Sequence, residues 1–238
     1  MDFEQLAKIE NESERVNRTY DIFNEDARLN HSKAARVEFL TTVHYIEKYL
    51  KDGDKILDIG AGAGEYSIYF ARKGYEVSAL DLSCYADKSF DIVLLFGPLY
   101  HLKNDADKQK CISEAKRVCK DGGKIFFAFI SNDFVFLTEF GYDVNYFSNG
   151  DYDKETFKLN DFPFVFHTVG AARKLLADGG INILHEVASD GASELLAARI
   201  NEMSDEDYTQ YLRYHFYICE KPELLGMTNH LLFMGEKK

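Results

Sequence analysis

Residues 55–65, Lys55-Ile-Leu-Asp-Ile-Gly-Ala-Gly-Ala-Gly-Glu65, carry the pattern that decides the fold. A short apolar run, Lys55–Ile59, delivers the chain into a glycine cluster, and Glu65–Lys73 then takes up a helical spacing that Gly74 is placed to end. Glycine permits positive φ angles and a close ligand approach that a Cβ would block. The first N–H groups of the following helix face whatever sits at the turn. A dinucleotide site wants G-x-G-x-x-G. Here Gly60, Gly62 and Gly64 make G-x-G-x-G, and Glu65 takes the last position of the dinucleotide pattern. A P-loop is excluded, because no Gly-Lys-Ser/Thr follows. Asp58, just ahead of the turn, would sit awkwardly beside a pyrophosphate and suits a ligand bearing an ammonium group and a positive sulfur.

Upstream, Val37, Leu40, Val43, Ile46 and Leu50 recur at three or four residues and predict a helix over 33–50, which Lys51-Asp52-Gly53-Asp54 breaks. Downstream, Tyr75–Leu80 reads as a strand. FDIVLLF (90–96) reads as a strand buried on both faces, 105–119 as a helix, and 124–130 as a strand after the Asp121-Gly122-Gly123 turn. After Ser131 the chain becomes aromatic and irregular, as an inserted cap would be. Helix 170–177, strand 181–188, helices 193–203 and 205–219 and strand 230–235 complete it. Strands alternating with helices predict an α/β, Rossmann-like, doubly wound and mostly parallel sheet with helices on both faces. The expected organisation is a helical lid (1–50), a core (51–130), an aromatic cap (131–168) and a C-terminal completion of the sheet (169–238).

Three stretches resemble one family in order. LDIGAGAGEYS (57–67) looks like the first motif of the class I S-adenosylmethionine-dependent methyltransferases, FDIVLLFGPLYHL (90–102) like their fourth-strand motif, and GGKIFFAF (122–129) like their fifth strand. The resemblance spans roughly residues 35–130. It implies S-adenosylmethionine as cofactor, bound at the carboxyl ends of the strands, in agreement with the switch-point rule for open α/β sheets. It places Gly60, Ala61, Gly62 and Gly64 along the methionine part, Asp58 near its ammonium, and Phe96, Gly97 and Leu99 beside the cofactor.

The chain departs from that family in one interval. Only residues 81–89 separate Leu80 from Phe90, whereas a parallel crossover takes about a dozen residues or more and usually includes a helix. One helix and one strand of the family pattern therefore have no counterpart. Either the sheet is trimmed and Asp81 is the acid that holds the ribose, or a segment near 77–80 is absent from the sequence and Asp81 is a loop residue near the adenine edge.

Methyl transfer from a sulfonium is an in-line displacement, and a general base is needed only where the acceptor must lose a proton. His101 and Tyr100, in GPLYHL, stand at the expected cleft as base or polar contact. His167 and His230 are weaker candidates. His31, His44, His185 and His215 read as residues of helices or strands. Tyr20, in YDIFNEDAR (20–28), is placed to contact cofactor or substrate if that segment folds over the cleft. Phe134, Phe136, Phe140, Tyr146, Phe147, Phe162, Phe164 and Phe166 predict an aromatic chamber that takes a small-molecule acceptor. The acidic run 151–155 reads as a solvated loop.

Composition bounds the alternatives. The chain has 238 residues, 46% hydrophobic and 29% charged, which is an ordinary globular balance. Lys and Arg number 28 against 40 Asp and Glu, and a net charge of −12 disfavours a nucleic-acid backbone or an anionic membrane. No apolar run approaches the ~18–20 residues of a membrane span. The opening MDFEQLAKIENESERV lacks a signal-peptide pattern, so a cytoplasmic protein is expected. Cys84, Cys111, Cys119 and Cys219 have no metal-site spacing and read as free thiols, with no metal expected. The competing readings are a non-catalytic cofactor-binding or interaction protein and, less favoured, a nicotinamide-dependent oxidoreductase. The acceptor atom (O, N or C) and the oligomeric state do not follow from the residues.

Overall fold

The computed structural model describes residues 28–79 and 84–238, together with Ile9, Glu14 and Arg18. The strands are β1 (Lys55–Ile59), β2 (Glu76–Ser78), β3 (Phe90–Leu95), β4 (Cys119–Ser131), β5 (Phe166–His167), β6 (Ile181–Ala188) and β7 (His230–Lys237). They form one seven-stranded sheet of order β2-β1-β3-β4-β7-β6, with β5 paired to β4. The β1–β2, β1–β3, β3–β4 and β4–β5 pairings are parallel, and β7 runs antiparallel to both β4 and β6. The helices are α1 (Arg36–Glu47), α2 (Glu65–Arg72), α3 (Pro98–His101), α4 (Asp105–Val118), α5 (Val135–Tyr142), α6 (Tyr146–Asn149), α7 (Val169–Asp178), α8 (Ala197–Asn201) and α9 (Asp205–Ile218).

Strand alternation explains the two-sided burial. On one face Ile92, Leu94, Phe96, Phe126, Leu232 and Met234 pack with Val43 and Ile46 of α1, Phe70 of α2 and Cys219 just after α9. On the other, Val93, Leu95, Ile125, Phe127, Phe129, Leu231 and Phe233 pack with Ile112 and Ala115 of α4 and Leu175 and Leu176 of α7. Because side chains alternate at period two, an uninterrupted run such as FDIVLLF feeds both cores at once.

The elements fall where the sequence pattern predicts them, with three differences. Strand β4 begins at Cys119, ahead of the expected Gly-Gly turn, and the β3–β4 register shifts between Phe90 and Ile92 to take up the extra residues. The expected helix over 193–203 is confined to Ala197–Asn201. His31 lies in turns ahead of α1 and not on a helix. Among the described residues β2 has no partner on its outer side, so the sheet ends there one strand and one helix short of the family pattern. Asp81 lies outside the described residues.

Phe233 is fully buried, and its ring meets that of Phe129 edge-on at 5.5 Å. Phe233→Ala is expected to lower the unfolding free energy by about 3–5 kcal/mol, read as a reduced denaturant midpoint at unchanged m-value.

Candidate active site

Strand β1 has β2 on one side and β3 on the other, so the chain crosses over at the carboxyl end of β1 and leaves a crevice there. The glycine turn fills that position. Gly60, Gly62 and Gly64 have φ of 79°, 52° and 78°, the left-handed region that glycine adopts without strain. A Cβ on Gly60 would lie 2.3 Å from the Phe96 carbonyl oxygen. A Cβ on Gly62 would meet nothing within 4 Å, so that glycine faces open space. The turn is pinned from both sides: Gly64 N–H donates to Ala61 O at 2.7 Å, and Phe96 N–H donates to Ile59 O at 3.1 Å.

Asp58 is buried beneath this turn. The Ser67 hydroxyl of α2 donates to its Oδ2 at 2.7 Å, while its Oδ1 is buried with no partner among the described residues. Burial pushes the carboxyl up to about 6, with Ser67 opposing. A buried carboxylate oxygen left open beside an uncovered glycine is what a ligand cation at this turn would satisfy, so these residues fit the aminoacyl end of S-adenosylmethionine.

Tyr66 and Phe96 flank the turn and also line a cavity of about 810 Å³. The rest of its wall comes from 28–42 ahead of and within α1, from Tyr100, from the ends of β4 and β7, and from the 135–166 and 189–197 segments. The aromatic residues of that segment divide. Phe162, Phe164, Phe166 and Tyr146 line the cavity, Phe134 and Phe136 are buried, and Phe140 and Phe147 are exposed. Phe136 packs with Tyr152 and Leu159 in a small core of its own. Asp151, expected in a solvated loop, also lines the cavity.

Tyr100 reaches the cavity. His101 is not among the lining residues; its ring packs against Tyr100 at 5.0 Å and Phe164 at 5.5 Å. Gly97 has φ of 126°, and a Cβ there would approach Gly60 O at 3.4 Å. Ala61 sits in the turn itself. Leu99, expected beside the cofactor, is fully buried in the core on the α4 side, because the short helix α3 turns it inward. Tyr20 lies outside the described residues. His167 is buried with both ring nitrogens unpartnered, and burial lowers it to about 4. His44 stacks on Phe216, and His185 bridges the Tyr49 hydroxyl and Glu220.

His230 is more prominent than its sequence context implied. Its Nδ1 lies 2.9 Å from Asp190 Oδ2 and 3.4 Å from Glu38 Oε2, and all three residues line the cavity. Burial by itself would lower this imidazole, but the two carboxylates outweigh that and raise it to about 9. Asp190 and Glu38 escaped the sequence reading. Asp190 follows a strand end in a Ser-Asp-Gly turn and Glu38 falls within a helical period, and neither setting signals proximity to a histidine forty or more residues away.

The family model for a methyltransferase domain matches residues 30–164. A curated demethylmenaquinone methyltransferase from Renibacterium salmoninarum is 32% identical over a region covering 34% of this chain and 43% of that protein. The chain thus spans less than half the length of the curated relatives it matches. The crystal structure of the PH0226 protein from Pyrococcus horikoshii superposes with a TM-score of 0.55 at 17% identity, covering 93% of this chain and 99% of that one. The 1,6-didemethyltoxoflavin-N1-methyltransferase of Burkholderia thailandensis, solved with S-adenosylhomocysteine, gives 0.52 at 14% identity, covering 95% and 87%. At these identities the two structures speak to the fold.

Asp58 supplies a pH signature. Its folded-state value lies above the ordinary carboxylate range, so the group stabilises the fold at low pH and loses that contribution as pH rises through about 6. A cation bound beside it reverses the sign, since it favours the ionised form. S-adenosylmethionine affinity by calorimetry is therefore expected to weaken by up to about tenfold per pH unit below about pH 6. Asp58→Asn should bind weakly at every pH, and Gly62→Ala should lose on the order of tenfold in affinity while still folding.

Proposed function

The chain belongs to the methyltransferase domain family, and on that premise we propose that it transfers the methyl group of S-adenosylmethionine to a small-molecule acceptor held in the cavity under the 135–166 segment. One observation carries the reading. Tyr66, just after the glycine turn, and Phe96, whose carbonyl packs against Gly60, both line the cavity, so its wall abuts the turn.

When bound, S-adenosylmethionine supplies the electrophilic methyl group and the sulfur leaving group. The protein's own task is placement. The glycine turn and Asp58 hold the aminoacyl end, and Phe96 and Tyr66 form the wall between crevice and cavity. Their rings meet at 5.2 Å in an edge-on contact that keeps both fixed. Alignment of this kind and exclusion of water together lower such a barrier by up to ~7–11 kcal/mol. Tyr100 contacts the acceptor from α3, and His101 holds Tyr100 and Phe164 in register by ring packing. A volume of about 810 Å³ lies within the range of pockets that enclose small molecules. The curated relatives and the Burkholderia neighbour are named for small-molecule acceptors, which supports the same class.

The test is incubation with methyl-labelled S-adenosylmethionine and a deproteinised metabolite extract, followed by mass spectrometry. Label is expected in a low-molecular-weight product. Tyr100→Ala should raise the acceptor KM on the order of tenfold at unchanged cofactor affinity, read in the same assay. Cofactor binding without label transfer to any small molecule would overturn the proposal.

A further inference from the structure

The cavity is also lined by a histidine–carboxylate pair, His230 and Asp190. His230 opens β7 and pairs with Ile130 near the end of β4. Strand β4 is in turn the neighbour of β3, whose end carries Phe96. Two strand spacings thus separate His230 from Phe96 across the sheet, roughly 10 Å between backbones, so one acceptor oxygen lying between their side chains can meet the His230 ring and face the cofactor crevice at once.

The ring is held by one edge. Its Nδ1 is committed to Asp190 Oδ2 at 2.9 Å. Asp190 is itself buried and fixed: its Oδ1 accepts from the Thr228 hydroxyl and, at 3.1 Å, from the His230 N–H. Glu38 of α1 stands 3.4 Å from Nδ1 and takes the Arg28 guanidinium at 2.6 Å. The charge of Asp190 also acts on His215 and Tyr211 of α9, and that of Glu38 on Tyr66 of α2. The ring's hydrogen bond among the described residues runs through Nδ1, the side chain keeps 25% of its surface exposed, and the residue lines the cavity, which leaves Nε2 to the cavity side. A merely structural ion pair has no use for an open nitrogen beside an aromatic wall. Glu38, Asp190 and His230 also lie close enough together to surround a cation. The direct Nδ1–carboxylate hydrogen bond and the guanidinium already seated on Glu38 favour a proton there.

We propose that His230, oriented by Asp190, receives the proton of an acceptor hydroxyl of the phenol or enol class and holds the resulting oxygen anion for methylation. This rests on the cavity being the acceptor site. The acceptor O–H bond breaks as its proton passes to Nε2. The oxygen's electron pair forms the new bond to the methyl carbon while the carbon–sulfur bond breaks, its pair remaining on the sulfur of S-adenosylhomocysteine. The imidazolium later returns its proton to water. Glu38 and Asp190 make the ring a stronger base than free histidine, which brings it closer to a phenol and eases the transfer. The neutral ring is the working base, so the rate rises with pH and levels near pH 9.

The probe is 4-nitrophenol, whose anion is yellow, added to protein saturated with S-adenosylhomocysteine. The bound probe is expected to ionise at least about one pH unit below the free compound, and the shift should vanish in His230→Gln and shrink in Asp190→Asn. With S-adenosylmethionine in place of the product, methylation of the probe should slow about 10²–10⁴-fold in His230→Gln, and the pH limb should disappear. Nitrogen NMR of histidine-labelled wild-type protein, which needs no variant, should place the His230 midpoint near 9, and Asp190→Asn should move it down. A bound probe that ionises like the free one, a shift that survives in folded His230→Gln, or an ordinary midpoint would each overturn the assignment. Loss of the shift on chelation, restored by a divalent metal, would overturn it in favour of a metal centre. Failure of the probe to bind while extract acceptors are methylated would overturn the hydroxyl class and leave the cavity reading standing. Absence of any labelled small molecule would overturn that reading instead.

Discussion

The approach of two strand ends governs this molecule. Gly60, leaving β1, and the Phe96–Gly97 peptide, leaving β3, lie so close that a single Cβ on Gly60 would overlap a backbone oxygen. Parallel pairing brings Asp58 level with Leu94 and Ile59 level with Leu95, so both strands must end at the same height. From there the two chains part. One enters α2 through the glycine turn, and the other enters α3 through Gly97 and Pro98. The crevice is the gap left by that divergence, and its floor is backbone. A side chain at Gly60 would push the strands apart, and at Gly97 the φ of 126° is one that side-chain-bearing residues rarely adopt.

The sheet then distributes functions sideways. The glycine turn follows β1, Phe96 follows β3 with Tyr100 in α3 just beyond it, Ile130 belongs to β4 and His230 to β7. Moving one strand at a time from the glycine turn to His230 crosses the sheet in steps of about 5 Å. The antiparallel entry of β7 matters here. It puts the first residue of that strand, His230, at the edge where the parallel strands finish, which a parallel strand would reach only with its last residue.

The parts that local pattern controls were legible from the residues. The period-two run 90–96, the helical period of 33–50 and the strand–glycine–helix order each answer to neighbours a few residues away, and each formed close to where it was expected. The glycine turn was legible for the same reason, since the backbone requirement is written in the residue type. The acceptor side was not. Arg28, Glu38, Asp190 and His230 come from four separate stretches, and only sheet order and register bring them together. The aromatic cap was half legible. Its density announced burial, but a Phe packed into a cap core and a Phe facing a ligand have the same sequence signature, and Phe136 and Phe164 took opposite roles.

The two buried carboxylates show how differently one residue type can be employed. Asp190 is sealed into a network in which Thr228, the His230 backbone and the His230 ring answer its oxygens, and the neighbouring positive charge holds its carboxyl below the usual range against the effect of burial. Asp58 is answered by Ser67 alone, its Oδ1 is left without a partner among the described residues, and burial prevails, pushing it up. A buried acid answered within the protein is equipped to hold a neighbour in place. One left half answered carries a desolvation cost that only a ligand's positive charge relieves. The first faces the acceptor cavity through His230, and the second lies under the glycine turn. On that contrast Asp190 finds its counter-charge within the protein, whereas Asp58 Oδ1 finds none among the described residues.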